Sequence, residues 1–250
     1  MKITMAHDDE AFLRDYDPGR YPRPSVTVDV VLVSAVGGAL RTIVVRRAEP
    51  PQRGRWALPG GFVRLEESLD ATAARVLREK AGVGGAYLEQ LYTFGAPKRD
   101  PRTRVISVAY YGLVAPDRWA SLKLAKGARE VAIAVPWAGE AGRAVDAVDA
   151  DGKQLALAFD HREILGTVVK RMRGKLRYAP IAYELLPERF TLLDLQRVHE
   201  TILGTRLNKD SFRRRMLASG ELEPAGAMQE GVGHRPAALY RARVKENHDG

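Results

Sequence analysis

The sequence predicts two domains: a mixed α+β or α/β unit, then a small, basic helical unit that closes with a strand-like run. Three observations carry this. A chain of 250 residues with 45% hydrophobic content suits one large or two ordinary domains, each with its own core. Short β-rich runs dominate residues 1–160, whereas helical spacing takes over from residue 161. Charge divides at the same place: residues 161–250 hold 17 Lys and Arg against 11 Asp and Glu, and residues 1–160 hold 23 against 20.

The formal net charge of +9 points to an acidic partner such as nucleic acid or phosphates. No cysteine is present, which removes disulfides, thiolate nucleophiles and Cys-ligated clusters. Residues 1–13 are charged and lack an apolar signal segment, and the most apolar run, 28–33, is far shorter than the roughly 18 residues that span a bilayer. The expectation is a cytoplasmic protein with no membrane partner.

An extension at 1–21 precedes the first domain, 22–175. Within it, 25–34, 40–45, 105–114 and 131–135 read as strands, separated by Gly/Pro/Arg loops, and 69–81 reads as a helix. The Gly/Ala/Asp-rich stretch 138–152 reads as a surface loop. Ile164, Leu165, Val168, Val169 and Met172 recur at helical spacing over 161–173, and Gly174 follows as a stop, so this is the last helix of the domain. Pro180 and Pro187 mark 176–188 as a short linker, leaving 189–245 as the second domain and 246–250 as a tail. No internal repeat is found.

The most informative local string is 56–61, Trp-Ala-Leu-Pro-Gly-Gly, with the helix that follows. Pro59 fixes φ, while Gly60 and Gly61 permit positive φ and close approach of phosphates to the main chain. Ser68 is a candidate N-cap, Asp70 lies in the first turn, and Gly82 ends the helix. Val76, Glu79 and Lys80, at i, i+3 and i+4, share one face. By spacing alone this is an ordinary amphipathic helix with an Arg75–Glu79 surface pair.

The string resembles the Nudix family. That family's box runs Gly, five residues, Glu, seven residues, Arg-Glu, a hydrophobic residue, any residue, Glu-Glu, any residue, Gly and a hydrophobic residue. Gly61, Glu67, Arg75, Leu77, Glu79, Gly82 and Val83 fall on these places without a gap. The resemblance implies a Nudix α/β/α sandwich. Two places depart: the Glu after the box Arg is Val76, and the second Glu of the pair is Lys80. In Nudix hydrolases those carboxylates hold Mg²⁺ against a pyrophosphate, and a hard cation needs several oxygen ligands. The expectation is a pocket kept in shape without catalytic residues, metal or cofactor, in which Lys80 pairs directly with the pyrophosphate oxygens.

Residues 94–110, which include the basic loop of Lys98, Arg99, Arg102 and Arg104, resemble a segment of the Nudix branch that handles ADP-ribose. Arg46 and Arg47, before the Pro-Gly-Gly turn, are similar phosphate candidates. The expected effector-binding set is Arg46, Gly60, Gly61, Glu67, Glu79, Lys80, Arg99 and Arg102.

In the second domain, Thr191 with Asp194 begins a capping-box-like helix whose apolar face is Leu192, Leu195, Val198, His199 and Ile202, broken by Gly204. His199 reads as a partly buried helix residue rather than a ligand. Asn208 caps a second helix over 209–218, in which Phe212 and Met216 pack and Arg213, Arg214 and Arg215 occupy the other sides. Two helices joined by a tight turn, the second crowded with Arg, are the pattern of a helix-turn-helix. The run 238–244, after the turn at 233–236, fits a wing with Arg235 at its tip. The expected DNA-binding set is Lys209, Arg213, Arg214, Arg215 and Arg235.

Together the halves resemble the NrtR family, Nudix-related transcriptional regulators of bacterial NAD metabolism. The resemblance includes the join 175–187 and the run Phe212 to Met216. It implies a homodimeric repressor on a palindromic operator, with ADP-ribose or a related NAD-derived nucleotide as effector; some relatives answer to other sugar ligands. The alternative is an active ADP-ribose pyrophosphatase with an accessory C-terminal domain, supported by the retained Glu67 and Glu79. An RNA adaptor is disfavoured because the basic half has no aromatic stacking platform.

Overall fold

The computed structural model describes residues 7–229 and 236–243. A first helix, α1 (His7–Asp15), precedes the sheet. The centre of the sheet is β1 (Ser25–Val36), in which Val28, Val30, Val31, Leu32 and Val33 are all buried. A strand covered on both faces carries a continuous apolar run rather than alternation, which is the pattern at 28–33. Gly37 and Gly38, with φ of +61° and +75°, turn the chain into β2 (Ala39–Arg46) as a tight hairpin.

Two short strands, β3 (Trp56–Ala57) and β4 (Gly60–Phe62), then pair with β2 and β1. Helix α2 (Leu69–Val76) runs into a π-helical turn at Leu77–Ala81. After it come β5 (Glu89–Phe94), β6 (Val105–Leu113), α3 (Pro116–Ala120), β7 (Ala128–Ala134), β8 (Asp146–Val148) and β9 (Gln154–Leu155). The sheet order is β5-β6-β1-β2-β7-β8-β9, with β1 and β6 parallel from Ser25↔Val105 to Val33↔Leu113.

One face of this sheet buries Ala73, Leu77 and Ala81 with Trp119. The other is covered by α4 (His161–Lys175) through Ile164, Leu165, Val168, Val169 and Met172. Helices on both faces give the α/β/α layering. Part of 138–152 is not a surface loop: Val145 and Ala147 are fully buried, and β8 joins the sheet. Gly166 makes this approach possible, since a Cβ there would overlap the Arg143 carbonyl oxygen.

The segment after α4 is packed, with Ile181, Ala182, Leu185 and Leu186 buried. The second domain follows as β10 (Phe190–Thr191), α5 (Leu192–Leu203), α6 (Lys209–Ala218), β11 (Leu222–Met228) and β12 (Ala238–Ala242). Its three strands lie in the order β10-β12-β11 behind the two helices. Thr191 and Asp194 form a full capping box, Gly204 at φ +71° ends α5, and the Asn208 side chain accepts from Ser211 N at 3.0 Å to start α6. Leu195, Ile202 and Phe212 belong to the same apolar cluster as Val31, Val44 and Met172, so one core runs through both domains.

Candidate functional site

A cavity of about 410 Å³ opens where β1, the 57–62 segment, the end of α2 and the 99–102 loop converge. Gly60 and Gly61 line it as strand residues opposite Asp29 and Val28, and neither has a positive φ. Glycine is required here for close packing instead. A Cβ on Gly60 would collide with the Asp29 carboxylate, and one on Gly61 would stand 3.1 Å from Val76 Cγ2. Val76 is fully buried beneath that wall. Val76 is not among the lining residues, whereas Glu79 and Lys80 are, because its side chain packs beneath Gly61.

The cations of the cavity are differently committed. Arg75 holds the Glu67 carboxylate through Nε at 2.7 Å and Nη2 at 2.8 Å, and Thr72 Oγ1 donates to the same group at 3.0 Å. Hydrogen bonding by Arg75 pulls the Glu67 pKa down to about 2. Glu67 therefore sits behind Arg75, outside the cavity lining, whereas Glu79 lines it and meets Arg75 Nη1 at 3.4 Å. Arg99, almost fully buried, forms a two-pronged pair with Asp160 at 2.8 and 2.6 Å and stands 3.6 Å from Asp29. Arg102 pairs with Asp100 at 3.0 and 2.7 Å and lies over the Phe62 ring.

Arg46 lies outside the lining and Arg47 lies within it. Successive residues of an extended chain face opposite ways, so only one of the two enters. Arg47 stacks on Phe159 at 4.8 Å and donates to the Pro51 carbonyl at 2.9 Å. Lys80 is exposed at the rim and has neither a hydrogen bond nor an ion pair among the described residues.

Sequence reasoning missed Asp29, Phe62, Phe159 and His161, all of which line the cavity. His161 Nδ1 accepts from Leu58 N at 2.9 Å, and its Nε2 faces Asp29 Oδ1 at 3.7 Å. Burial pushes its pKa below the usual histidine value, against the pull of Asp29 and Asp160. Asp29 also accepts from Ser107 Oγ at 2.5 Å. A carboxylate inside the buried run 28–33 was the one local signal available.

On the second domain, Phe212 and Met216 are buried while Lys209, Arg213 and Arg214 are exposed, with no ion pair among the described residues. Arg215 is exposed as well, but it leans over the Phe212 ring at 5.4 Å and lines a groove with Tyr183 and His199. Arg235 lies outside the described residues. His199 is buried, its Nδ1 2.9 Å from the Leu195 carbonyl and its ring edge-on to Phe212 at 5.0 Å, which suits packing rather than ligation.

Residues 23–133 match the NUDIX domain, and residues 182–242 match the NrtR DNA-binding winged helix domain. Over 252 residues the chain is 37% identical to the ADPR responsive transcriptional repressor NtrR of Acinetobacter baylyi, covering 95% of this chain and 90% of that one. The chain belongs to the NrtR family. The fold agrees: the crystal structure of Shewanella oneidensis NrtR complexed with a 27mer DNA, 33% identical, superposes with a TM-score of 0.68 over 87% of this chain and 93% of that one. This NrtR-family chain thus joins a Nudix domain to a C-terminal winged helix. The chain is also 31% identical over 90 residues to the ADP-ribose pyrophosphatase of Methanocaldococcus jannaschii, spanning 36% of this chain and 51% of that enzyme. Among the described residues, no helix is long and apolar enough to cross a membrane, and no group of three or more His, Asp and Glu is placed to hold a metal ion.

Proposed function

We propose that this NrtR-family chain is a homodimeric, ligand-responsive transcriptional repressor, cytoplasmic, that binds a palindromic operator through its winged helix. ADP-ribose or a related NAD-derived nucleotide is its effector, held in the Nudix cavity. The observation that carries the effector reading is Lys80: an uncommitted ammonium at the rim of a cavity already lined by Arg47, Arg64, Arg75, Arg99 and Arg102. Such a wall suits the pyrophosphate of a nucleotide. The Acinetobacter relative's ADPR response and the Shewanella relative's DNA complex support the same reading.

The donor set does not fit the family's divalent metal. Glu67 is saturated by Arg75 and Thr72, Val76 carries no oxygen, and Lys80 places a positive charge beside Glu79. The chain accordingly binds without hydrolysing. If it were instead a pyrophosphatase, as the 31% identity to the Methanocaldococcus enzyme would favour, Mg²⁺ and ADP-ribose would yield AMP at an enzymatic rate.

Lys209, Arg213 and Arg214 form the outward face of the recognition helix α6. In a dimer two such helices must sit about 34 Å apart to meet successive major-groove faces, so a small reorientation on effector binding breaks the register. The test is binding to the DNA upstream of the protein's neighbouring genes at several salt concentrations. A regulator prefers its site over random duplex by at least ~10³-fold. Equal affinity for both, with only a steep salt dependence, would overturn the reading.

A further inference from the structure

Helix α4 reaches from the cavity to the winged helix, and both of its ends are held by arginine. At its N-terminal end Asp160, the N-cap position, is gripped at 2.8 and 2.6 Å by Arg99, which lines the cavity. The next residue, His161, is itself a cavity residue bonded to Leu58 N. Near the other end Arg173, 3% exposed, donates Nε to the Ile202 carbonyl of α5 at 2.8 Å. Its Nη1 donates to Trp137 O at 3.2 Å and Gly139 O at 2.7 Å, and the guanidinium lies over the Trp137 ring at 4.8 Å. At 1.5 Å per residue the two grips are about 20 Å apart.

Between them α4 is rigid, with Ile164, Leu165, Val168, Val169 and Met172 fully buried. The far side of the second grip is not tightly enclosed. Two grooves, of about 730 and 930 Å³, lie on opposite flanks of α5, one against His199 and Leu203 and the other against Arg197 and Thr201. Gly204 fits Arg173 closely: a Cβ there would stand 2.9 Å from Nη2. The winged helix thus shares an apolar core with the first domain, is held in addition by a buried guanidinium, and has open grooves on either flank of α5.

We propose that α4 is the coupling element: an anion in the cavity takes Arg99 from Asp160, the N-terminal end of α4 shifts, and Arg173 transmits the shift to α5 and the winged helix. A pyrophosphate carries more charge than the Asp160 carboxylate and can accept the same two parallel N–H bonds, so it competes for Arg99 on equal geometry. Asp160, once released, leaves the first turn of α4 without its tether to the 99–102 loop. Arg173 is a positioning residue here; it touches neither the ligand cavity nor the exposed face of α6. Coupling of this kind is a difference in ligand affinity between two arrangements and is reciprocal.

This inference rests on the proposed effector role, and the experiment separates the two. Full-length protein is titrated with ADP-ribose by calorimetry, and its affinity for its upstream operator is measured with and without saturating ADP-ribose. Wild type should lose at least tenfold in operator affinity. Arg173→Lys and Gly204→Ala should each bind ADP-ribose and operator singly within threefold of wild type, while the ligand's effect on operator affinity falls below twofold. Asp160→Asn removes the competitor, so ADP-ribose should bind several-fold more tightly and act less on DNA. If wild type responds and all three variants respond as strongly, α4 coupling is wrong. If wild type itself binds no ADP-ribose or shows no response, the effector reading fails. A variant that does not fold is set aside in favour of the other two, and Asp160→Asn alone decides the matter by its opposed changes in affinity and response.

Discussion

Arg75 closes on Glu67 in a two-pronged pair, with Nε to Oε1 at 2.7 Å and Nη2 to Oε2 at 2.8 Å, and the same Nη2 donates to Phe62 O at 3.1 Å. The pair pins the 62–67 segment onto α2, so two of the retained box residues act as structure. Lys80, one turn further along, lines the cavity, exposed and without a partner among the described residues.

Lys80→Ala should therefore weaken ADP-ribose binding by about 10- to 100-fold, the range for one charge-assisted hydrogen bond. Lys80→Glu should weaken it further by repelling phosphate. Because the side chain is exposed and without a partner among the described residues, both variants should stay within about 0.5 kcal/mol of wild-type stability. Calorimetric titration together with a denaturant melt tests both statements. Undiminished ADP-ribose affinity in Lys80→Glu would remove Lys80 from the site.

On α6 the three consecutive arginines should separate. Arg213→Ala and Arg214→Ala should each lower operator affinity, by about 1–3 kcal/mol if the side chain reads a base edge. A residue that contacts only a phosphate should instead reduce the slope of log affinity against log salt by about 0.9. Arg215→Ala should have the smaller effect on DNA, since Arg215 packs over Phe212 beside the groove that Tyr183 and His199 line. Anisotropy titrations at four salt concentrations resolve the three, and an equal loss for all would place Arg215 on the DNA.

The cap of the recognition helix is open to a simple check. Asn208 Oδ1 accepts from Ser211 N at 3.0 Å and starts a helix of only ten residues. Asn208→Ala should cost about 1 kcal/mol, as loss of an N-cap does, and weaken operator binding by fraying the turn that carries Lys209. Asn208→Asp should restore the stability, and a melt of the three proteins decides it.

Stability should fall on acidification because of two buried histidines. Burial pushes the pKa of both His161 and His199 below the ordinary value. Unfolded imidazole titrates near 6.5, so below that pH the unfolded chain binds more protons than the folded one. Their contribution is whole above the unfolded value and is lost progressively as pH drops from there through the lower folded values. Each can cost up to about 1.4 kcal/mol per pH unit in that range. Denaturant melts between pH 7.5 and 5.5 should show this slope, and His199→Leu should reduce it; an unchanged slope would contradict the account.

The central strand, α4, the capping box and the helix-turn-helix were all legible, because each is written in local periodicity and caps. The apolar run at 28–33 and the spacing of Ile164, Leu165, Val168, Val169 and Met172 need no tertiary information. The cavity was legible only in part. Gly60, Gly61, Glu79, Lys80, Arg99 and Arg102 are found there. His161 was hidden because its partner, Leu58, lies 103 residues away in the chain. The choice between Arg46 and Arg47 turned on strand phase at the end of β2, and the burial of Val76 on its packing against Gly61, fifteen residues away in the chain. The packed 176–188 segment read as a linker because its prolines are conspicuous and its burial depends on the neighbouring domain.

If this chain holds DNA until a nucleotide fills its Nudix cavity, operator and ADP-ribose oppose one another's binding. The most direct measurement is operator affinity across an ADP-ribose titration, with AMP release followed in the same samples containing Mg²⁺. At saturating ADP-ribose operator affinity should fall at least tenfold, with the ligand recovered intact. Operator affinity unchanged at saturation, or ADP-ribose consumed to AMP at an enzymatic rate, would contradict it.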